Sequence, residues 1–151
     1  MTQINGVDFD DYLVECVCID DDDLRSEYVR VSTDLAYWAK KHGEAEYEYL
    51  AAKANVKRSE AAAYTDAMQI LADEYDVGKL PKKPTEKMVE ARAAEDENVD
   101  DALDRFARAS SWRKEVDGYV EAIKSKRDML VSLGADLRKE REAEPYLREN
   151  R

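Results

Sequence analysis

Apolar residues return at every seventh position over residues 24–75. Tyr28, Leu35, His42, Tyr49, Val56, Ala63 and Ile70 form one line, and Leu24, Val31, Trp38, Ala45 and Ala52 form another. Two sevens offset by four and three are the a/d pattern of a coiled-coil seam. The pattern predicts one helix from Leu24 to about Tyr75, which at 1.5 Å per residue spans roughly 75–80 Å. Such a seam needs a partner helix, supplied later in the chain or by another subunit. Beyond Val56 it thins to Ser59, Ala63 and Ala67, whose small side chains permit close approach. Gly43 costs the helix about 1 kcal/mol relative to Ala. The register runs through it, so a flexible or closely packed point is expected there, not a break.

Gly78 to Pro84 ends this helix. Gly78 supplies a left-handed cap, and Pro81 and Pro84 prevent continuation. Thr85 is then placed to cap a second long helix, with Glu86 in its first turn. Its apolar face runs through Val99, Leu103, Phe106 and Ala109, then Val116, Ile123, Leu130 and Leu137 at sevens, with Trp112, Tyr119, Val120 and Leu133 beside them. A bend near Gly118 or Gly134 is expected, and Pro145 is expected to close the helix. Upstream, Phe9, Tyr12, Leu13, Cys16 and Val17 fit a short helix that turns to extended chain near Val17. Asp20 to Asp23 then supply an N-cap and an acidic first turn for the long helix.

The predicted fold is all-α. Two long helices form an antiparallel coiled-coil-like hairpin, preceded by a short N-terminal helix and assembled into a homo-oligomer. The expected divisions are an acidic segment 1–23, a hairpin 24–142 turning at 78–84, and a charged tail 143–151. Tyr37, Tyr47, Tyr64 and Tyr119 lie off the strict seam lines and widen the apolar face beyond a two-helix contact. Trp38, Tyr49, Trp112, Ile123 and Leu130 are the expected oligomer-interface residues.

Composition agrees with a helical protein: 39% charged, 44% apolar, five Gly and three Pro in 151 residues. The net charge of −11 is uneven. Residues 1–23 hold eight acids and no Lys or Arg, which leaves 27 acids against 24 bases in the remainder. The head is acidic and the body nearly balanced. There is no membrane-length apolar run, and the N-terminus lacks a signal-peptide layout, so a soluble cytoplasmic protein is expected. Two cysteines are too few for a disulfide framework.

Little of the chain suits catalysis. His42, the only histidine, sits on the seam and reads as a satisfied packing residue. Cys16 and Cys18 have metal-like residue types but nothing to complete four ligands. Asp20–Asp23 lack the glycine and spaced acids of a calcium loop. No phosphate-cradling glycine loop or nucleophile elbow is present. Neither an enzymatic activity, nor a metal, nor a cofactor is expected.

The basic clusters point elsewhere. Lys53, Lys57 and Arg58 fall on the first helix. Lys79, Lys82, Lys83 and Lys87 crowd the turn, and Lys124, Lys126 and Arg127 lie on the second helix. A single cluster of this kind is most often a solvated face. Repeated around an oligomer, the clusters form a positive track for phosphates.

Three segments together resemble the UvsY recombination mediator family of tailed phages. Val17-Cys18-Ile19-Asp20 followed by Trp38-Ala39-Lys40-Lys41-His42 is similar to the family's Val-x-Ile-Asp and Trp-x-x-Lys-His. Ala94-Glu95-Asp96-Glu97-Asn98-Val99 resembles its small-acid-x-x-Val start to the second helix. Ala122-Ile123-Lys124-Ser125-Lys126-Arg127 is similar to its Ala-Ile-Lys-Ser-Arg stretch. The likeness covers most of residues 10–140. One departure is local: the family's mid-helix Lys-x-Arg falls on Ala61 and Ala63, with Lys57 and Arg58 one turn earlier.

The resemblance implies a homo-oligomeric ring in the cytoplasm, that of the host cell if the chain is phage-encoded. It implies non-specific binding of single-stranded DNA, and partnership with a recombinase and a single-strand-binding protein, the first loaded in place of the second. The alternative from another class is a coiled-coil phage scaffolding or assembly-chaperone oligomer without DNA affinity.

Overall fold

A computed structural model of the protein describes residues 3–4, 7–8, 16–20 and 23–149. The fold is all-α: helix α1 spans Leu24–Asp76, α2 Glu86–Ala93 and α3 Glu97–Glu149. Among the described residues the one extended feature is a ladder of two-residue strands, β1 (Gln3–Ile4) antiparallel to β2 (Val7–Asp8), with Gln3 opposite Asp8. Cys16 and Val17 are helical and residues 18–20 are not, as the expected turn to extended chain near Val17 requires. The rest of the expected N-terminal helix, and the acids at 10, 11, 15, 21 and 22, lie outside the described residues.

The ends of α1 follow from local chemistry. Asp23 Oδ1 accepts the Ser26 N–H at 3.2 Å, satisfying one orphan donor of the first turn. A hydrogen bond from the Ser26 side chain, and then that backbone bond, hold the Asp23 carboxyl below its ordinary value. At the other end Gly78 has φ +76°, which a side chain resists, and Lys79 N–H donates to Glu74 O at 2.9 Å.

The second helix is not continuous from Thr85, as the heptads suggested. Helix α2 stops after Ala93, and α3 starts afresh behind Asp96. Asp96 Oδ1 accepts the Asn98 N–H at 2.8 Å and Asp96 O accepts Val99 N–H at 3.0 Å, an N-cap of the kind that competes with helix continuation. Thr85 occupies the N-cap position of α2, but its side chain makes no capping bond; only its carbonyl accepts, from Met88 and Val89. Pro145 does not close α3, which is helical through Glu149. A proline there removes one N–H from the ladder without ending it.

The chain divides into two compact units, Met1–Gly43 with Glu115–Arg151, and Glu44–Lys114. In the first unit α1 and α3 run antiparallel, as Glu27 meets Lys126, Trp38 meets Tyr119 and His42 meets Asp117. The core is Cys16, Val31, Trp38, Val116, Ile123 and Leu130. In the second unit Ala45, Ala63, Ala67 and Leu71 of α1 are buried with Val89, Val99 and Ala102. Ala67, Leu71 and Val89 form one cluster, with Leu80 and Ala93 packed on it. The small residues sit where the seam was expected to thin.

Val31, Trp38 and Ala45 are buried on the line expected for them, whereas burial shifts the other seam line by one residue in the first unit. Glu27 and Asp34 are buried where Tyr28 and Leu35 were assigned, and Tyr28 is 36% exposed. Leu103 and Leu137, placed on the second seam, are also exposed.

The glycines separate into two kinds. A Cβ on Gly43 or Gly118 would meet nothing within 4 Å, so Gly43 is not a close-packed point. A Cβ on Gly134 would lie 2.8 Å from the Tyr28 hydroxyl, which itself donates to the Leu130 carbonyl. Gly43→Ala and Gly118→Ala should each raise stability by about 0.5–1 kcal/mol through helix propensity. Gly134→Ala should gain nothing, because displacing the Tyr28 hydroxyl forfeits a hydrogen bond of about 0.5–1.5 kcal/mol. Tyr28→Phe in the Gly134→Ala background should restore the gain, read as the urea midpoint at constant slope.

Candidate nucleic-acid interface

The three basic clusters meet different fates. Lys79, Lys82 and Lys83 sit in the turn between α1 and α2, and Lys87 in the first turns of α2; all four are exposed. Pro81 and Pro84 keep the turn out of helix, so Lys79, Lys82 and Lys83 lie on irregular chain and not on one helical face. Between residues 77 and 92 the only acids are Glu86 and Glu90. Among the described residues none of the four lysines enters a salt bridge; the nearby pair is Arg92 with Glu95, at 3.1 Å. This is the most basic exposed stretch of the second unit.

Lys53, Lys57 and Arg58 do not form one patch. All are exposed, but Lys57 and Arg58 are adjacent on a helix and point about 100° apart. Lys53 lies over the Tyr49 ring at 5.9 Å, and Arg58 Nε donates to Ala54 O at 3.4 Å. Their helix segment, Glu44 to Asp76, carries eight acids against these three bases. Lys53 and Lys57 do share a groove of about 230 Å³ with Val56, Leu103 and Phe106, but Glu60 lines it as well.

The third cluster is largely neutralised. Lys126 is 1% exposed and its Nζ lies 2.6 Å from Glu27 Oε2, so it offers solvent no charge and is removed from the DNA-binding set. Lys124 pairs with Glu121 at 2.7 Å and Arg127 with Asp128 at 2.8 Å, both on the surface. Sequence contained the signal for Lys126. It falls on the line Trp112, Tyr119, Lys126, Leu133, seven residues from an apolar neighbour on either side.

A basic group that the clusters did not reveal lies in the first unit. Arg25, Arg138 and Arg141 line a groove of about 310 Å³ with Leu24, Tyr28 and Leu137. Arg138 and Arg141 are three apart on α3, and Arg25 joins them only through the antiparallel packing, a non-local contact.

The expected interface residues are also redistributed. Trp38, Ile123 and Leu130 are fully buried within one chain, so they form its core and are unavailable to a second subunit. Trp38 packs edge-on to Tyr37 at 5.5 Å and against Tyr119 at 4.9 Å. Trp112 and Tyr49 are half-buried; Tyr49 lies between Phe106 at 5.4 Å and the Arg113 guanidinium at 4.7 Å. Arg113 is fixed in turn by Glu46 at 2.5 Å.

His42 Nε2 lies 2.9 Å from Asp117 Oδ1. Cys16 is buried and Cys18 exposed, and neither is in a disulfide. Asp34 is buried, and burial pushes its carboxyl above the ordinary value, opposed by Arg30, Lys126 and a hydrogen bond with Cys16. Among the described residues no three His, Cys, Asp or Glu side chains converge as a metal-ligand set. No helix among them is long and apolar enough to cross a membrane.

No protein-family model matches the chain, and neither a curated protein nor a solved structure shows significant similarity to it.

Proposed function

We propose that the protein is a non-catalytic recombination mediator of the UvsY type. In this reading the two long helices form a single antiparallel hairpin, and the chain works as a homo-oligomer in the cytoplasm. It binds single-stranded DNA without sequence preference and helps a recombinase replace the single-strand-binding protein. The observation that carries the DNA part is the exposed lysine set Lys79, Lys82, Lys83 and Lys87, which among the described residues enters no salt bridge. Lys53, Lys57, Arg58, Lys124 and Arg127 contribute less, because neighbouring acids or divergent directions dilute them. The resemblance in three ordered segments supplies the rest.

The neutralised cluster at Lys124–Arg127 favours the second reading, a coiled-coil scaffolding or assembly-chaperone oligomer without DNA affinity. A titration with single-stranded oligonucleotide at several salt concentrations separates the two. Contact with on the order of five phosphates gives a slope of log K against log salt of about −3.5. Changing Lys79, Lys82 and Lys83 together to Ala should weaken binding for every sequence and flatten that slope, with helicity unchanged. An intact oligomer with no single-strand affinity at low salt would make the scaffold reading the better one.

A further inference from the structure

Helix α1 carries a second heptad pattern on the side away from its buried seam. Tyr47, Ala54, Ala61, Met68 and Tyr75 follow at sevens, with Leu50, Lys57 and Tyr64 interleaved three residues on. Every one of these residues is exposed, Tyr47 at 74% and Leu50 and Met68 each at 52%. The face runs over about four heptads of the second unit with one charge, Lys57, although the helix around it is rich in carboxylates. Scattered exposed apolar residues need no explanation, but an exposed a/d line interrupted only at Leu71, which turns into the cluster with Ala67 and Val89, does.

We propose that this face pairs with the same face of a second copy, antiparallel, with Ala61 of one copy against Tyr64 of the other. The proposal deepens the homo-oligomer part of the proposed function, rests on none of its DNA part, and withdraws Lys53 and Lys57 from the DNA-binding set. The occupant is a second copy because the flanking charges complement themselves in one arrangement only. A parallel pair would set Lys57 against Lys57 in the seam and Lys53 beside Arg58 of the other copy at both edges, all like charges.

Antiparallel pairing removes these conflicts, and charge also selects the register. With Ala61 against Tyr64, Lys53 of each copy lies beside Glu74 of the other, an attraction repeated by the two-fold axis. Sliding by one heptad in either direction places Glu60 against Glu60 or Glu60 against Glu74, like charges at the edge. In the favoured register Leu50 meets Tyr75, and the stem of Lys57 lies along Met68 with its ammonium at the rim. The two Lys57 ammonium groups are then separated by roughly 16 Å along the axis, from 1.5 Å per residue. Lys57 is committed to this contact, whereas the lysines of the α1–α2 turn stay free.

Cross-linking and mass distinguish the outcomes, using the full chain with Cys18→Ser. Under mild oxidation, Leu50→Cys with Tyr75→Cys should give a covalent dimer at high yield, and either substitution alone should not. Efficient cross-linking of Leu50→Cys alone would indicate a parallel pair and overturn the proposal. Leu50→Glu with Met68→Glu should at least halve the mass by light scattering at micromolar concentration, with helicity retained because both positions are exposed in the single chain. A wild-type mass in that variant overturns this interface while leaving the homo-oligomer reading standing. A monomeric wild-type chain overturns both.

Discussion

Glu27→Ala is expected to lower stability by about 3–5 kcal/mol, the cost of leaving a buried charge without its partner. Lys126 is the reason. Its side chain is inaccessible to solvent, and its Nζ has Glu27 Oε2 at 2.6 Å. Removing the carboxylate strands an ammonium in the core of the first unit, with the buried Asp34 two turns further along α1. Replacing both members together, Glu27→Leu with Lys126→Met, should recover most or all of the loss, since an apolar pair avoids the desolvation of two ions. The measurement is a double-mutant cycle by urea unfolding, with an interaction energy well above the roughly 0.5 kcal/mol expected for independent sites. A Glu27→Ala variant within 1 kcal/mol of the parent would show that Lys126 reaches solvent by another route. The pair also carries a specificity argument: two opposite charges on otherwise apolar lines fix the register of α1 on α3, as a one-heptad slip would separate them.

Trp38→Ala is the other large loss, about 3–5 kcal/mol for an aromatic deletion in a packed core. Trp38 is fully buried, holds Tyr37 and Tyr119 in ring contacts, and is among the largest side chains of the first unit with no exposure. Tyr37 and Tyr119 lose their ring contacts with the indole at the same time. The effect belongs to the fold of the single chain and not to a subunit contact. It should therefore appear as a lower unfolding midpoint that does not depend on protein concentration. A midpoint that rose steeply with concentration would return Trp38 to an interface.

The long helix was legible because heptads repeat their signal many times, and its ends were legible because Asp23 and Gly78 have unambiguous backbone roles. The interruption at Ala94–Asp96 was hidden by good helix formers, Ala93, Ala94 and Glu95, on the near side of the capping aspartate. Only the bond from Asn98 N–H to Asp96 discloses it. Lys126 was misassigned for a related reason. Local charge placed it with Lys124 and Arg127, but helical direction separates neighbours in sequence, and its seven-residue spacing from Tyr119 and Leu133 describes it better. The arginine groove at Arg25, Arg138 and Arg141 could not be read from the sequence, because residues more than a hundred positions apart become neighbours only through tertiary packing. Conversely, the face through Tyr47, Leu50 and Met68 is plain in the sequence.

The eight-residue helix α2 gives the lysine turn its own thermodynamics. Eight residues are too few to hold helical structure in isolation. Its order depends on Val89 lying against Ala67 and Leu71, with Leu80 and Ala93 closing the cluster. Capped poorly at Thr85 and released from α3 by the Asp96 turn, it can open as a small cooperative unit while the long helices stay intact. Amide exchange across Lys79–Ala93 then follows a sub-global opening and not the global unfolding of the chain. A ligand that orders this segment has to supply the difference in free energy, which makes the most basic region of the second unit also one whose affinity is tuned by the packing of a single valine.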